Sequence, residues 1–280
     1  MFLMHKGVMW MLIATFFFAL MGTFVKLGGE NFNSTELVFY RSLISLAIII
    51  GIMEFTKVKY STRYFKLHMT RSSIGFISLL LFFYAINHLP LSTAISLNYT
   101  SPLFLGLLMP IILRRKIKIG LFFGVLIGFI GVFFILKPTF DNQSYFAGVM
   151  GLISGLGAAM AYLFVTQLGQ LKEPSLRTIF YFTLVSTICS GIIMLFGEVN
   201  SITYKAMFIL FGLGVSATIA QIAITKAYRI GNTLGNAGLS YLTIIFSTII
   251  GIIFLDEFID WQTSLGISLI IISGICASKK

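Results

Sequence analysis

Arg41 is the residue whose position most constrains the chemistry of this chain. It stands inside an apolar run from Thr35 to Glu54, with Glu36 and Glu54 near the two ends. If the run is helical, Arg41 lies about 9 Å in from one end at 1.5 Å per residue. A guanidinium at that depth in an apolar medium needs a partner or a wet cavity. Two chemistries are open to it. It can pair with an anionic group of a ligand, bidentately if that group is a carboxylate. Alternatively it can bond helix carbonyls or Glu36 and fix packing.

Further along, Ser92, Thr93, Ser96, Asn98, Tyr99, Thr100 and Ser101 precede Pro102 within another apolar run. Pro102 has no N–H to offer the Asn98 carbonyl, which must then find another donor. Asn98 and Ser101 are three apart and share a helix face. Asn232, Asn236, Ser240, Tyr241 and Thr243 form a comparable polar set near the other end of the chain. With Tyr84 and Gln221, these residues give a candidate binding set: Arg41, Tyr84, Asn98, Tyr99, Ser101, Gln221, Asn236 and Tyr241. Such amides and aromatics suit a small amphipathic ligand, or serve as polar contacts between helices. Pro102 is a candidate helix break. Lys226 and Glu257 are candidate gating charges, or else a helix-end anchor and a solvated acid.

Other chemistries lack their residues. There is no P-loop pattern, no metal-ligand spacing and no acid or histidine pair inside an apolar run, so no enzyme activity and no cofactor or metal is expected. His5, His68 and His88 fall at run ends and read as interfacial side chains. Cys189 and Cys276 read as packing thiols.

These residues must be held by helices in lipid. The 280-residue chain is 58% hydrophobic and 10% charged, with a mean hydropathy of +0.97. Its polar residues are too few to cover a water-soluble globule. The net charge of +11 does not indicate nucleic acid, because the Lys and Arg residues sit in short loops between apolar runs and report orientation. Ten spans qualify: Gly7–Leu27, Thr35–Glu54, Ser72–His88, Leu91–Leu113, Ile119–Lys137, Gly148–Leu168, Leu176–Phe196, Ala206–Ala227, Thr233–Leu255 and Gln262–Ala277. The first follows Lys6 as a signal peptide would, yet it has full length and a repeat partner after Gly148, so it is expected to be retained. One set of span ends holds Lys6, Lys57 to Arg71, Arg114 to Lys118, Lys172, Arg177, Lys226, Arg229, Lys279 and Lys280. The other holds Glu30, Glu36, Asp141, Glu198, Asp256, Glu257 and Asp260, with Lys26, Lys137 and Lys205 as exceptions. Both termini are therefore expected to be cytoplasmic, in a plasma membrane (the inner membrane of a bacterium).

The chain also repeats itself at an offset of 141–142 residues. Gly7-Val8-Met9 falls on Gly148-Val149-Met150, Lys26-Leu27-Gly28 on Gln167-Leu168-Gly169, and Phe39-Tyr40 on Phe180-Tyr181. After one residue of slip, Tyr99 meets Tyr241, Leu113 meets Leu255 and Gly124 meets Gly266. Arg41 meets Phe182, so its charge is not duplicated. Five spans per copy invert the second copy. The basic loop Arg114–Lys118 accordingly aligns with the acidic Asp256–Asp260. The expected fold is an all-α membrane protein of ten transmembrane helices as two inverted five-helix repeats, residues 1–142 and 143–280. Secondary transporters place their site between such halves.

Several stretches carry a family resemblance. Phe83 to Ala94, with His88-Leu89-Pro90 at its centre, resembles the third-to-fourth-helix junction of EamA-type carriers of the drug/metabolite transporter superfamily. Tyr99 to Phe104, Gly124 to Gly131, Lys137-Pro138, Gln221, Lys226 to Arg229 and Leu255-Asp256-Glu257 continue the pattern. Arg115 stands where such carriers often have an acid, and Ile244 where they often have a second proline. The resemblance implies a cavity enclosed by the third, fourth, eighth and ninth spans, with the fifth and tenth outside. It implies a carrier of amino acids, nucleotide-like compounds, vitamins or drugs, with export the family-weighted direction and uptake the alternative. Because no Asp or Glu lies at mid-membrane, facilitated diffusion or exchange is expected over proton symport. The partners expected are a small-molecule substrate and the lipid bilayer. The glycines Gly124, Gly128 and Gly131 suit either a homodimer face or an internal contact.

Overall fold

The computed structural model describes residues 2–112, 119–136, 142–197, 199–230, 236 and 238–278. Arg115, Lys137, Pro138 and Asn232 lie outside them, as does the side chain of Cys276. Every regular element among the described residues is a helix. In order these are α1 (Phe2–Gly28), α2 (Ser34–Thr56), α3 (Phe65–His88), α4 (Leu91–Asn98), α5 (Ser101–Ile112) and α6 (Ile119–Leu136). The second half contains α7 (Asn142–Gln170), α8 (Ser175–Met194), α9 (Tyr204–Ile230), α10 (Leu242–Phe254) and α11 (Trp261–Ser278). Six stretches, in α1, α2, α3, α7, α8 and α9, are each long and apolar enough to cross a bilayer unaided.

The joints follow local chemistry. Helix α2 opens on a capping box. The Asn33 side chain accepts from the Glu36 amide at 3.0 Å, and Glu36 accepts from the Asn33 amide at 2.8 Å. Glu36 also accepts from the Asn200 amide and side chain at 2.7 and 2.9 Å. This carboxylate is thus fully used in tying α2 to the α8–α9 loop, and Arg41 does not share it. Helix α3 stops where Leu89 turns extended before Pro90, and α4 begins at Leu91.

The fourth span is not one helix. It breaks at Tyr99-Thr100 into α4 and α5, and Pro102 is the second residue of α5. In that first turn a missing N–H leaves no helical bond unmade. Thr100 closes the joint, its hydroxyl and amide both donating to the Leu97 carbonyl at 2.7 and 3.2 Å.

The packing has the symmetry that the repeat implies. Helix α1 packs on α9, and its repeat counterpart α7 packs on α3. Helix α2 packs on its own counterpart α8, and α6 on α11. The α2–α9 contact is matched by α3–α8, and α1–α10 is matched by α4 and α5 against α7. Glycines set the closest approaches. A Cβ on Gly131 would meet the Gly266 carbonyl at 2.7 Å, and one on Gly128 would meet Leu103 and Ser273. These two glycines of the stripe are therefore covered inside the molecule by α11 and α5, which removes them from any dimer face. A Cβ on Gly155 would meet the Leu97 and Asn98 carbonyls at 2.9 Å, which places α7 hard against the break between α4 and α5.

One boundary matters for function. Helix α3 starts at Phe65, seven residues before the apolar run that begins at Ser72. That extension carries His68 and Arg71 into the bundle.

Candidate functional site

Arg41 is the eighth residue of α2 and Arg71 the seventh of α3. The two helices enter from opposite ends of the bundle, so each guanidinium lies about 10 Å in from its own end. They meet on one ring. The Arg71 Cζ is 4.1 Å from the Phe182 centroid, and the Arg41 Cζ is 5.2 Å from it. Phe182 stands on α8 in the opposite half, where a Cβ on Gly75 of α3 would touch its ring at 3.1 Å.

Both arginines are buried, Arg41 at 1% and Arg71 at 3% exposure. In each, Nε and Nη1 have no hydrogen-bond partner among the described residues. Both line one central cavity of about 70 Å³, together with Asn98, Tyr99, Tyr162, Gln221 and Thr243, and among the described residues no acidic side chain lines it. Buried charges are normally paired. Both cations lie beside one ring, so their separation cannot exceed the sum of their distances from its centroid. At that limit, and at an effective dielectric of 20, two unit charges repel by roughly 2 kcal/mol. The aromatic face returns part of this as cation–π attraction. An anion entering the cavity would neutralise what the protein leaves open.

The rest of the wall is neutral and held in place. The Asn98 amide donates to the Ser154 hydroxyl at 2.8 Å, and Ser154 donates to the Gly151 carbonyl at 2.6 Å. Ser78 donates to the Ser154 carbonyl at 2.7 Å, so α3, α4 and α7 are tied at one point. Tyr162 stacks on Tyr228 with centroids 4.7 Å apart.

The candidate residues read from sequence separate here. Arg41, Asn98, Tyr99 and Gln221 line the cavity. Tyr84 does not. It stacks on His88 at 4.1 Å and lines a separate pocket at the acidic end, because its face of α3 turns away from Arg71. Ser101 is buried at the start of α5, outside the cavity lining. Asn236 donates to the Ala227 carbonyl at 2.5 Å and so closes the end of α9. Tyr241 packs in the apolar core, its buried hydroxyl without a partner among the described residues, and also stands off the cavity lining.

Lys226 lies over the Trp10 ring at 4.1 Å. Glu257 is half-buried, and among the described residues its hydrogen-bond partner is a backbone amide and not a basic side chain. Its Oε1 accepts from the Leu91 amide at 2.5 Å, which caps α4 across the two halves. On the other side of the same break, Lys26 donates to the Ile86 and Leu89 carbonyls at 3.2 and 2.6 Å. A cation thus sits on the end of α3 and an anion on the start of α4, each complementing its helix dipole.

Sequence reasoning missed Arg71, which stood among the loop lysines, and Tyr162. It also misplaced His68, which is fully buried and 3.2 Å from Glu173. Arg177 bonds the same carboxylate at 2.8 Å. Burial works to raise the Glu173 carboxyl, and the bonds from Arg177 and His68 outweigh it, holding the group below the usual carboxylate range.

Comparison with known proteins identifies the family. The EamA-like transporter family matches residues 5–137 and again residues 146–278. The pseudopaline exporter CntI of Pseudomonas aeruginosa is 29% identical, covering 99% of this chain and 97% of that protein. An uncharacterized transporter of Helicobacter pylori is 28% identical over 96% of this chain and 93% of its own. An S-adenosylmethionine uptake transporter of Rickettsia prowazekii is 24% identical over 95% and 90%. A solved crystal structure superposes with a TM-score of 0.76 at 14% identity, covering 98% of this chain and 96% of that one, which is a likeness of fold. With ten traverses in two repeats and matches spanning both, the chain is a multi-pass membrane protein that belongs to the EamA-like transporter family.

Proposed function

We propose that this chain is a secondary transporter that carries a small organic metabolite with an anionic group, most readily outward, by alternating access. The observation that carries this reading is Arg41, buried in the central cavity with Nε and Nη1 donors that no group among the described residues takes. The five-helix halves, residues 1–142 and 143–280, rock about that cavity, with the basic ends of the helices and both termini in the cytoplasm. Arg41, Asn98, Tyr99 and Gln221 form the binding wall. Export is favoured because CntI, at 29% identity, is an exporter, whereas the S-adenosylmethionine carrier of opposite direction is 24% identical.

At about 70 Å³ the cavity is smaller than the several hundred Å³ typical of a metabolite pocket. The arrangement therefore suits a closed state that must widen to load. Because no acid lines the cavity, exchange or facilitated diffusion suits it better than proton symport. Counterflow of labelled metabolites in proteoliposomes tests the reading. Wild type is expected to exchange at least one organic anion. Arg41→Ala, folded and inserted normally, is expected to lose that exchange. Unchanged exchange by Arg41→Ala refutes the assignment of the site, and robust accumulation driven by a pH gradient refutes the energetics.

A further inference from the structure

We propose that Arg41 and Arg71 together form a site for an organic dianion, a small molecule with two carboxylates, one for each guanidinium. This rests on the transport reading above and names the substrate class. Both side chains are more than nine-tenths buried, both line the same cavity, and each leaves Nε and Nη1 unmatched. Among the described residues, no acid lines this cavity. Glu36 caps α2, Glu173 binds His68 and Arg177, and Glu257 caps α4. A ligand with one negative charge would leave one buried cation uncompensated. Two carboxylates satisfy both.

The guanidinium fork suits this ligand chemistry, since its parallel N–H groups match a carboxylate edge to edge. Phe182 gives both forks a flat wall, and Gly75 gives the ring its room. Both cations come from the first half. In the second half Phe182 stands in place of Arg41, and Gly212 or Leu213 in place of Arg71. The dianion site is therefore built once, at the seam, and not duplicated by the repeat. Asn98, Tyr99, Tyr162 and Gln221 remain for the uncharged parts of the substrate.

The test uses the full-length protein in lipid–detergent micelles, titrated with malonate and, at matched ionic strength, with acetate, while thermal unfolding is followed. Malonate is expected to raise the melting temperature saturably, with half-saturation at least ~10-fold below that of acetate. Arg41→Ala and Arg71→Ala are each expected to bring malonate to the level of acetate. Arg71→Lys keeps the charge and is expected to retain part of the difference. Where an alanine variant is not monodisperse, the glutamine variant replaces it. No saturable effect of malonate, equal effects of the two anions, or a malonate advantage that survives loss of Arg71 would each overturn the proposal. Unchanged exchange by Arg41→Ala is the separate failure of the carrier site. Exchange in proteoliposomes that is lost in Arg41→Ala but intact in Arg71→Ala removes Arg71 from the site and leaves the transporter standing.

Discussion

Replacing Arg71 by methionine is expected to make the empty protein more stable, not less. Methionine keeps the length of the stem against Phe182 and removes the charge. The loss is a cation–π contact at 4.1 Å, on the order of 1–2 kcal/mol when desolvated. The gain is relief from burying an unpaired cation, which costs several kcal/mol, and from the roughly 2 kcal/mol of repulsion by Arg41. The net is about 3 kcal/mol or more, which is roughly 6–12 °C of melting temperature at 2–4 °C per kcal/mol.

The double replacement is more telling than either single one. Each single variant relieves the same repulsion, so the pair relieves it once. Arg41→Met with Arg71→Met is therefore expected to fall short of the sum of the singles by about 2 kcal/mol, a coupling a double-mutant cycle reads directly. Equilibrium unfolding in mixed micelles without added anions supplies the four stabilities. Additivity within about 0.5 kcal/mol, or a destabilised Arg71→Met, would show that the two guanidiniums beside Phe182 do not act on one another as charges.

Gly155→Ala pushes a methyl into two backbone carbonyls at 2.9 Å and is expected to cost about 1–3 kcal/mol, seen as a lower melting temperature, whereas Gly51→Ala, with nothing within 4 Å, is expected to cost none. Glu257→Ala removes the cap of α4 and is expected to speed amide hydrogen exchange at Leu91 while leaving α8 unchanged. Glu173 gives a pH signature. Its carboxyl is held below its ordinary value near 4.5, so it contributes stability above that value and loses it as pH falls through the lower folded value. Acid melts of wild type against Glu173→Gln are expected to converge below this window and diverge above it, and parallel curves would refute the role of His68 and Arg177.

Arg41 was legible because a lone charge in an apolar run has few explanations. Asn98, Tyr99 and Gln221 were legible through their place in a polar stretch and on a core helix. Arg71 was hidden by its neighbours, since Lys57, Lys59, Arg63 and Lys66 precede it and made it read as one more loop charge. The span drawn from Ser72 to His88 was short of the roughly 20 residues a bilayer requires, and that deficit was the one signal that the helix began earlier. The facing of Tyr84 was not legible, because α3 is apolar on most sides and gives no stripe to orient it. Nor was the break at Tyr99-Thr100. A proline in the first turn of a helix and one in the middle leave the same letters in the sequence, and only the approach of Gly155 tells them apart.

The charged clasp on the turn between α3 and α4 has no twin. Repeat arithmetic puts Gln167 where Lys26 would be and Arg115 where Glu257 would be. At the opposite mouth the turn after α9 is closed by the neutral Asn236 amide on the Ala227 carbonyl. Two doors hung on unlike hinges do not swing with equal ease. If the two halves rock as proposed, an unloaded molecule with this build is expected to rest with the clasped door shut, and cargo arriving from either compartment is expected to meet a different threshold.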